Sequence, residues 1–270
     1  MTLCREQKHV AIKILSAHAT KLAESKQLAE IDICGTLQHE SATSPPDPGL
    51  RYVVQPLDIF TFEGSAGKHF CVVTEPFAYS LSALFDVMGT KQLPLKRIME
   101  WLKFTLLALR FLHDTCGIVH AGGRILALEE PTLTSLCTDI KPQNFLMKIS
   151  ELDKVINCEL VTRPAAIYEI PKTMSISELG YCPVTSLPLP IAIDGDRQGF
   201  LFETVLSDLG HGHFDNQHLS QTVQPVALRA PEVALGLNWN RAIDIWSLGC
   251  LVSIVIIFKW ANAYACHADV

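Results

Sequence analysis

Apolar residues recur at three- and four-residue intervals in two stretches of the chain and run together or alternate in several others. From Leu95 to Thr115, Ile98, Leu102, Leu106, Leu109 and Leu112 fall on one stripe, which predicts a long helix with a core-facing side. Residues 19–39 read as a second, amphipathic helix. Leu22, Leu28, Ile31 and Leu37 lie near one face, and Gly35 weakens the end. Val10 to Leu15 is a β-branched, apolar run interrupted by Lys13. Tyr52 to Phe62 and Lys68 to Thr74 predict two strands joined by a hairpin over Glu63 to Gly67, with Pro76 ending the second. Phe202 to Leu206 predicts another strand. Residues 41–50 and 148–200 are rich in turn formers; the second segment is too long for an ordinary loop and reads as an insertion with some strand content. The apolar run Ile245 to Phe258 falls short of the roughly 20 residues that span a bilayer and follows Asp244 directly, so it reads as a buried core helix.

Composition narrows the class. The chain is 49% hydrophobic and 19% charged, which supports a folded core and argues against disorder. A formal charge of −6 weighs against a general nucleic-acid binder. Nine cysteines, odd in number and without a C-x-x-C pair, read as free intracellular thiols and not as a zinc site or disulfide framework. The first residues carry no apolar h-region, so no secretory signal is expected.

The chemistry concentrates in Thr138-Asp139-Ile140-Lys141-Pro142-Gln143-Asn144. An acid, a base and an amide stand at offsets 0, +2 and +5, with proline fixing the turn between them. A carboxylate can orient a hydroxyl and accept its proton, an ammonium can neutralise a transferring phosphate, and an amide oxygen can hold magnesium. By itself the heptad is also compatible with a surface turn. It resembles the catalytic loop of protein kinases, and other parts of that family occur in the same order along the chain. Val10-Ala11-Ile12-Lys13 resembles the strand whose lysine holds the α- and β-phosphates of ATP; the alternative is an edge strand with Lys13 in solvent. Glu30, 17 residues on, stands where kinases place the lysine's partner, with Glu24 and Glu40 as rivals. Asp208-Leu209-Gly210 resembles the magnesium-binding D-F-G, though as a tripeptide it also suits an ordinary turn. Arg229-Ala230-Pro231-Glu232 matches A-P-E, and Asp244 to Gly249 resembles the aspartate-headed helix whose carboxylate caps backbone amides of the catalytic loop.

Within the family, Thr138 before Asp139, the Asp208-Leu209-Gly210 triplet and Leu228-Arg229-Ala230-Pro231-Glu232 resemble the SR-protein-kinase-like group, notably its fungal members. The resemblance implies an α+β, two-lobed fold, incomplete at both ends: a partial N-lobe over residues 1–75 and a partial, mainly helical C-lobe over 76–270. It implies serine/threonine phosphoryl transfer with ATP and Mg2+. Asp139 would be the base and Lys141 the contact to the γ-phosphate. Asn144 and Asp208 would hold the metal, and Lys13 the phosphates, fixed by Glu30. Ala11, Thr74, Glu75, Phe77 and Leu146 would surround the adenine. The partner would be a protein substrate, Arg/Ser-rich by family, in the cytoplasm or nucleus, with no nucleic acid or membrane involved. A kinase-like binding module without activity is the alternative. A Rossmann enzyme is weak, because no G-x-G-x-x-G follows a strand.

The departures are specific. Only nine residues precede the Val10 strand, too few for two strands and a phosphate-covering turn, and none is glycine. Seventeen residues, Ala121 to Cys137, separate His120 from Thr138. Deleting them joins Gly-Ile-Val-His to Thr-Asp-Ile-Lys-Pro without a seam, which reads as a retained intron or gene-model error and places His120 either out of register or beside a looped-out segment. His211, His213 and His218 invite a metal reading, but their spacing is loose and no cysteine is adjacent.

Overall fold

The computed structural model describes residues 2–3, 8–65, 67–88, 93–121, 140–148, 152–163, 203–218, 220 and 223–265. Strand β3 (Ala11–Ile14) pairs antiparallel with β5 (Gly67–Thr74), which also pairs with β4 (Pro56–Gly64), giving the sheet order β3-β5-β4. The central strand carries the β-branched Val72 and Val73, both buried, which is where such side chains pack best. The hairpin closes at Gly64 opposite Gly67, as the turn residues predict. Ahead of β3, β1 (Thr2–Leu3) and β2 (Lys8–His9) form a hairpin of their own. These two-residue strands form a ladder separate from the β3-β5-β4 sheet.

Two helices pack beside the sheet where the sequence pattern predicts one. The first, α1 (Ala17–Glu24), is capped by Ser16, whose hydroxyl accepts from Ala19 N–H. It stops at Ser25, and Lys26 takes a left-handed conformation at φ 61°. That turn feeds α2 (Glu30–Ser41), which buries Ile33 and Leu37. Leu22, Leu28 and Ile31 are only half-buried, because the break rotates the two segments onto different faces. Gly35 lies inside α2 and does not end it.

The larger core surrounds α4 (Leu95–Arg110), which continues through one π turn over Phe111–Thr115. Its buried face is Ile98, Trp101, Thr105, Ala108, Leu109 and Leu112; Leu106 of the predicted stripe is exposed instead. Trp101 meets Phe145 edge-on, with ring centroids 5.2 Å apart. Burying an apolar side chain of this kind contributes about 1.5–3 kcal/mol. Around α4 stand α3 (Leu81–Met88), β7 (Phe145–Lys148) paired with β8 (Glu203–Leu206), and β6 (Ile118–Val119) paired with β9 (His213–Phe214). The described part of the 148–200 insertion holds a helix, α5 (Leu152–Thr162); the strand content expected of this segment falls on residues 164–200, which lie outside the described residues. A short α6 (Pro231–Ala234) precedes α7 (Ala242–Ala265), the helix predicted from the Ile245 run. Among the described residues no helix is long and apolar enough to cross a membrane.

Asp47 fastens the two packing groups together. Its carboxylate accepts from Gly49 N–H, Arg110 and Thr115, tying the loop after α2 to the end of α4. Gly49 is required there: a Cβ would stand 2.2 Å from the Leu107 carbonyl oxygen.

Candidate active site

The register of β3 on β5 decides which face Lys13 takes. Lys13 lies opposite Val72 and Ala11 opposite Thr74, so these residues share one side of the sheet. That side forms a wall of a cleft of about 380 Å³, lined also by Glu30, Cys34, Leu37, Val54 and the Ser207-Asp208-Leu209-Gly210 turn. Within it the Lys13 ammonium lies 2.6 Å from Glu30 Oε1 and 3.2 Å from Asp208 Oδ1. Burial works against that ammonium, but the two carboxylates outweigh it and raise the Lys13 pKa above its ordinary value. Lys13 thus stands on an edge strand with half its side chain exposed, yet its ammonium is paired with two carboxylates and is not left in solvent. The three rival acids separate cleanly: Glu24 pairs with Lys68, Glu40 contacts His39, and Glu30, nine-tenths buried, takes Lys13.

Asp208 reaches Lys13 from a left-handed backbone, φ 61° and ψ 54°, a conformation that costs a non-glycine residue about 1 kcal/mol or more. The following Gly210 is fixed by its neighbour. A Cβ there would stand 3.0 Å from the Glu30 carboxylate, so any side chain would press on the group that holds Lys13. Neither this constraint nor the Cys34 and Leu37 lining was visible in the sequence. The Cys34 thiol is pushed up to about 12 by burial, with Glu30 adding to it, so it stays neutral.

The loop residues reach the same region from the other side. Pro142–Asn144 form a 3-10 turn that leads into β7. Asn144 is buried, and its carbonyl accepts from both the N–H and the hydroxyl of Ser207, the residue before Asp208. These bonds hold the Asn144 backbone against the residue that precedes Asp208. Lys141 is half-buried immediately ahead of the turn. Thr138 and Asp139 lie outside the described residues, as do residues 122–137. Leu146 pairs across to Val205 in the β7-β8 ribbon and bridges to Ser80. Glu75 and Phe77 lie on the extended stretch after β5, which is tied to β7 by Ala78 N–H to Met147 O and Met147 N–H to Tyr79 O.

His120 is seated within the core. It is 1% exposed, its N–H donates to Asp244 Oδ2, and its Nε2 lies 3.2 Å from the Ser207 carbonyl. Ala121 N–H donates to Asp244 Oδ1, and His113 Nε2 lies 2.8 Å from Oδ2. The Asp244 carboxylate thus caps the backbone leading into the loop, as the resemblance implies. His113 is a partner with no signal in the sequence, since it sits among the polar residues Arg110, Asp114 and Thr115.

The His211, His213 and His218 group does not form a metal site. Among the described residues no cluster of three or more His, Cys, Asp or Glu side chains is disposed to hold an ion. His218 instead stacks on Trp239 at 3.8 Å, with His213 edge-on to the same ring. The five described cysteines that bear on the question, Cys34, Cys71, Cys116, Cys158 and Cys250, are free thiols.

Comparison with known proteins places this geometry. The chain is 28% identical over 91% of its length to the serine/threonine-protein kinase SRPK of Physarum polycephalum. It is 26% identical over 97% of its length to the dual specificity protein kinase lkh1 of Schizosaccharomyces pombe, and 25% identical over 90% to the serine/threonine-protein kinase AFC1 of Arabidopsis thaliana. It spans 53%, 29% and 40% of those three proteins. No protein-family model matches the chain.

Proposed function

We propose that this SRPK-like, α+β chain is a protein serine/threonine kinase, transferring the γ-phosphoryl group of ATP to a hydroxyl on a protein substrate. The observation that carries the reading is the Lys13 ammonium held between Glu30 and Asp208 at 2.6 and 3.2 Å inside a cleft. A lysine so placed is a phosphate anchor: Glu30 fixes its direction, and half its side chain remains open to the cleft. An incoming phosphate competes with Asp208 for the ammonium and leaves that carboxylate for a cation.

The donor set fits Mg2+. A carboxylate from Asp208 and an amide oxygen from Asn144 are hard oxygen ligands, and the hydrogen bonds from Ser207 to the Asn144 backbone carbonyl keep their two segments adjacent. Bound there, the ion would neutralise charge on the β- and γ-phosphates. Lys141 would face the γ-phosphate and Asp139 would orient the substrate hydroxyl and take its proton. Ala11, Thr74, Glu75, Phe77 and Leu146 would enclose the adenine. Rate enhancement would come from positioning and electrostatic stabilisation. The lobes would divide near residue 75. An Arg/Ser-rich protein in the cytoplasm or nucleus is the substrate that kinship with SRPK favours.

The test is phosphate transfer from labelled ATP to an Arg/Ser-rich peptide, run beside a Mg-ATP thermal shift. Transfer that disappears in Asp208→Asn supports the reading. A folded chain that neither shifts nor transfers phosphate would make it a kinase-like binding module.

A further inference from the structure

The N-terminal sheet ends on a long strand that pairs on one side only. β4 runs nine residues, Pro56 to Gly64, and lies at the margin of the order β3-β5-β4, so among the described residues its second edge meets no strand. Such an edge presents a row of backbone donors and acceptors to any extended segment. Proteins commonly blunt it with lysine, proline or a bulge. Here Pro56 and an irregularity between Pro56 and Asp58 occupy its start, but Ile59-Phe60-Thr61-Phe62 carries none of these. Phe60 and Phe62 are each 41% exposed, and Ile14, in the same cross-strand row as Phe60, is 56% exposed.

The direction of the backbone groups limits the registers in which a strand can add. The hairpin closes across Gly64 and Gly67 with two residues between them, so even-numbered residues of β4 hydrogen-bond to β5 and odd-numbered ones face the open edge. Consistent with this, Ile59 N–H is taken by the carboxylate of Asp58 at 2.8 Å, while among the described residues no such cap covers Thr61 or Glu63. An antiparallel copy of the same strand must match odd with odd and even with even. In the register with Thr61 on the axis no acid meets an acid: Asp58 falls opposite Gly64 of the copy and Glu63 opposite Ile59. With Thr61 on the two-fold axis, Phe60 lies across from Phe62 of the copy, and the axis generates this aromatic pair twice. Aromatic cross-strand pairs are among the favourable ones.

We propose that the open edge of β4 is a self-association surface on which a second copy of this chain adds antiparallel, Thr61 meeting Thr61. The result is a continuous six-stranded sheet across a two-fold axis. The surface is remote in kind from the phosphate-anchoring chemistry and does not depend on it.

Sedimentation velocity of the full chain over a concentration series tests the proposal, with circular dichroism as the folding control. The wild type is expected to pass from monomer to dimer as concentration rises. Phe60→Lys sets a charge against an aromatic ring at both symmetry-related positions and is expected to abolish the dimer. The double variant F60K/F62E sets opposite charges across the axis twice, and is expected to restore a dimer that salt weakens. Ile14→Lys, on the same face but off the edge, should leave association unchanged. A wild type that stays monomeric throughout, or a dimer that survives Phe60→Lys, overturns the proposal. So does a double variant that fails to recover while its fold is intact.

Discussion

Asp208 and Asp244 are the same residue put to opposite uses. Asp244 is 1% exposed and accepts three hydrogen bonds, from His113, His120 N–H and Ala121 N–H. Asp208 has a side chain 30% exposed and contacts the Lys13 ammonium from a left-handed backbone. A carboxylate whose lone pairs are taken by fixed donors cannot exchange partners and serves the fold. One that meets an ammonium at the wall of a cleft, with part of its surface open, is free to exchange that partner for a cation. Burial and hydrogen-bond saturation, more than residue type, separate a structural acid from a chemical one.

The largest expected effect is on the saturated side. Asp244→Ala leaves three buried donors unpaired and should destabilise the chain by about 3–5 kcal/mol, read by urea denaturation. A loss below about 1 kcal/mol would mean that Asp244 does not hold the loop approach. Asp208→Asn should do the reverse: the melting temperature stays close to wild type while phosphate transfer falls by about 10²–10³-fold or more. If the two variants behaved alike, the distinction between the acids would fail.

The surroundings of Asp244 add a pH dependence. Burial drives His213 down to about 4 from the ordinary 6.5, with His218 and His211 reinforcing the shift and Asp244 opposing it. A histidine held neutral in the fold is protonated first in the unfolded chain. Stability should therefore be undiminished above about pH 6.5 and fall as pH drops towards 4, by on the order of 3 kcal/mol. His213→Phe should flatten that part of a stability-versus-pH curve, and an unchanged slope would remove His213 as its source.

The smallest effect sharpens the cleft side. Gly210→Ala places a Cβ against the Glu30 carboxylate and should cost about 1–3 kcal/mol. It should also lower kcat, because Lys13 loses its fixed direction. Equal kcat in both proteins would show that Glu30 can yield without releasing Lys13.

Much of the site was legible as order along the chain. Lys13, Glu30, Asn144, Asp208 and Asp244 were each singled out from local motifs, and the structure brings Lys13, Glu30 and Asp208 together. Local pattern failed where a turn or a neighbour intervened. The helix read over residues 19–39 breaks at Lys26, because a left-handed turn there carries no glycine or proline to announce it. Leu106 fits the apolar stripe of α4 yet is exposed, because the stripe was broader than the surface available to cover it. His120 is held in the core by Asp244, 124 residues away, which accepts its N–H, while its register with Asp139 falls outside the described residues.

The sequence by itself determined the periodicity of the helices, the hairpin between β4 and β5, and which residue types could carry phosphate chemistry, since these depend on near neighbours. Only the tertiary structure decided which of three glutamates meets Lys13, that Gly210 must lack a side chain, and which aspartate is saturated and which is available. Those outcomes depend on contacts between segments far apart in the chain, where the register of a strand and the angle of a helix set distances that no local pattern encodes.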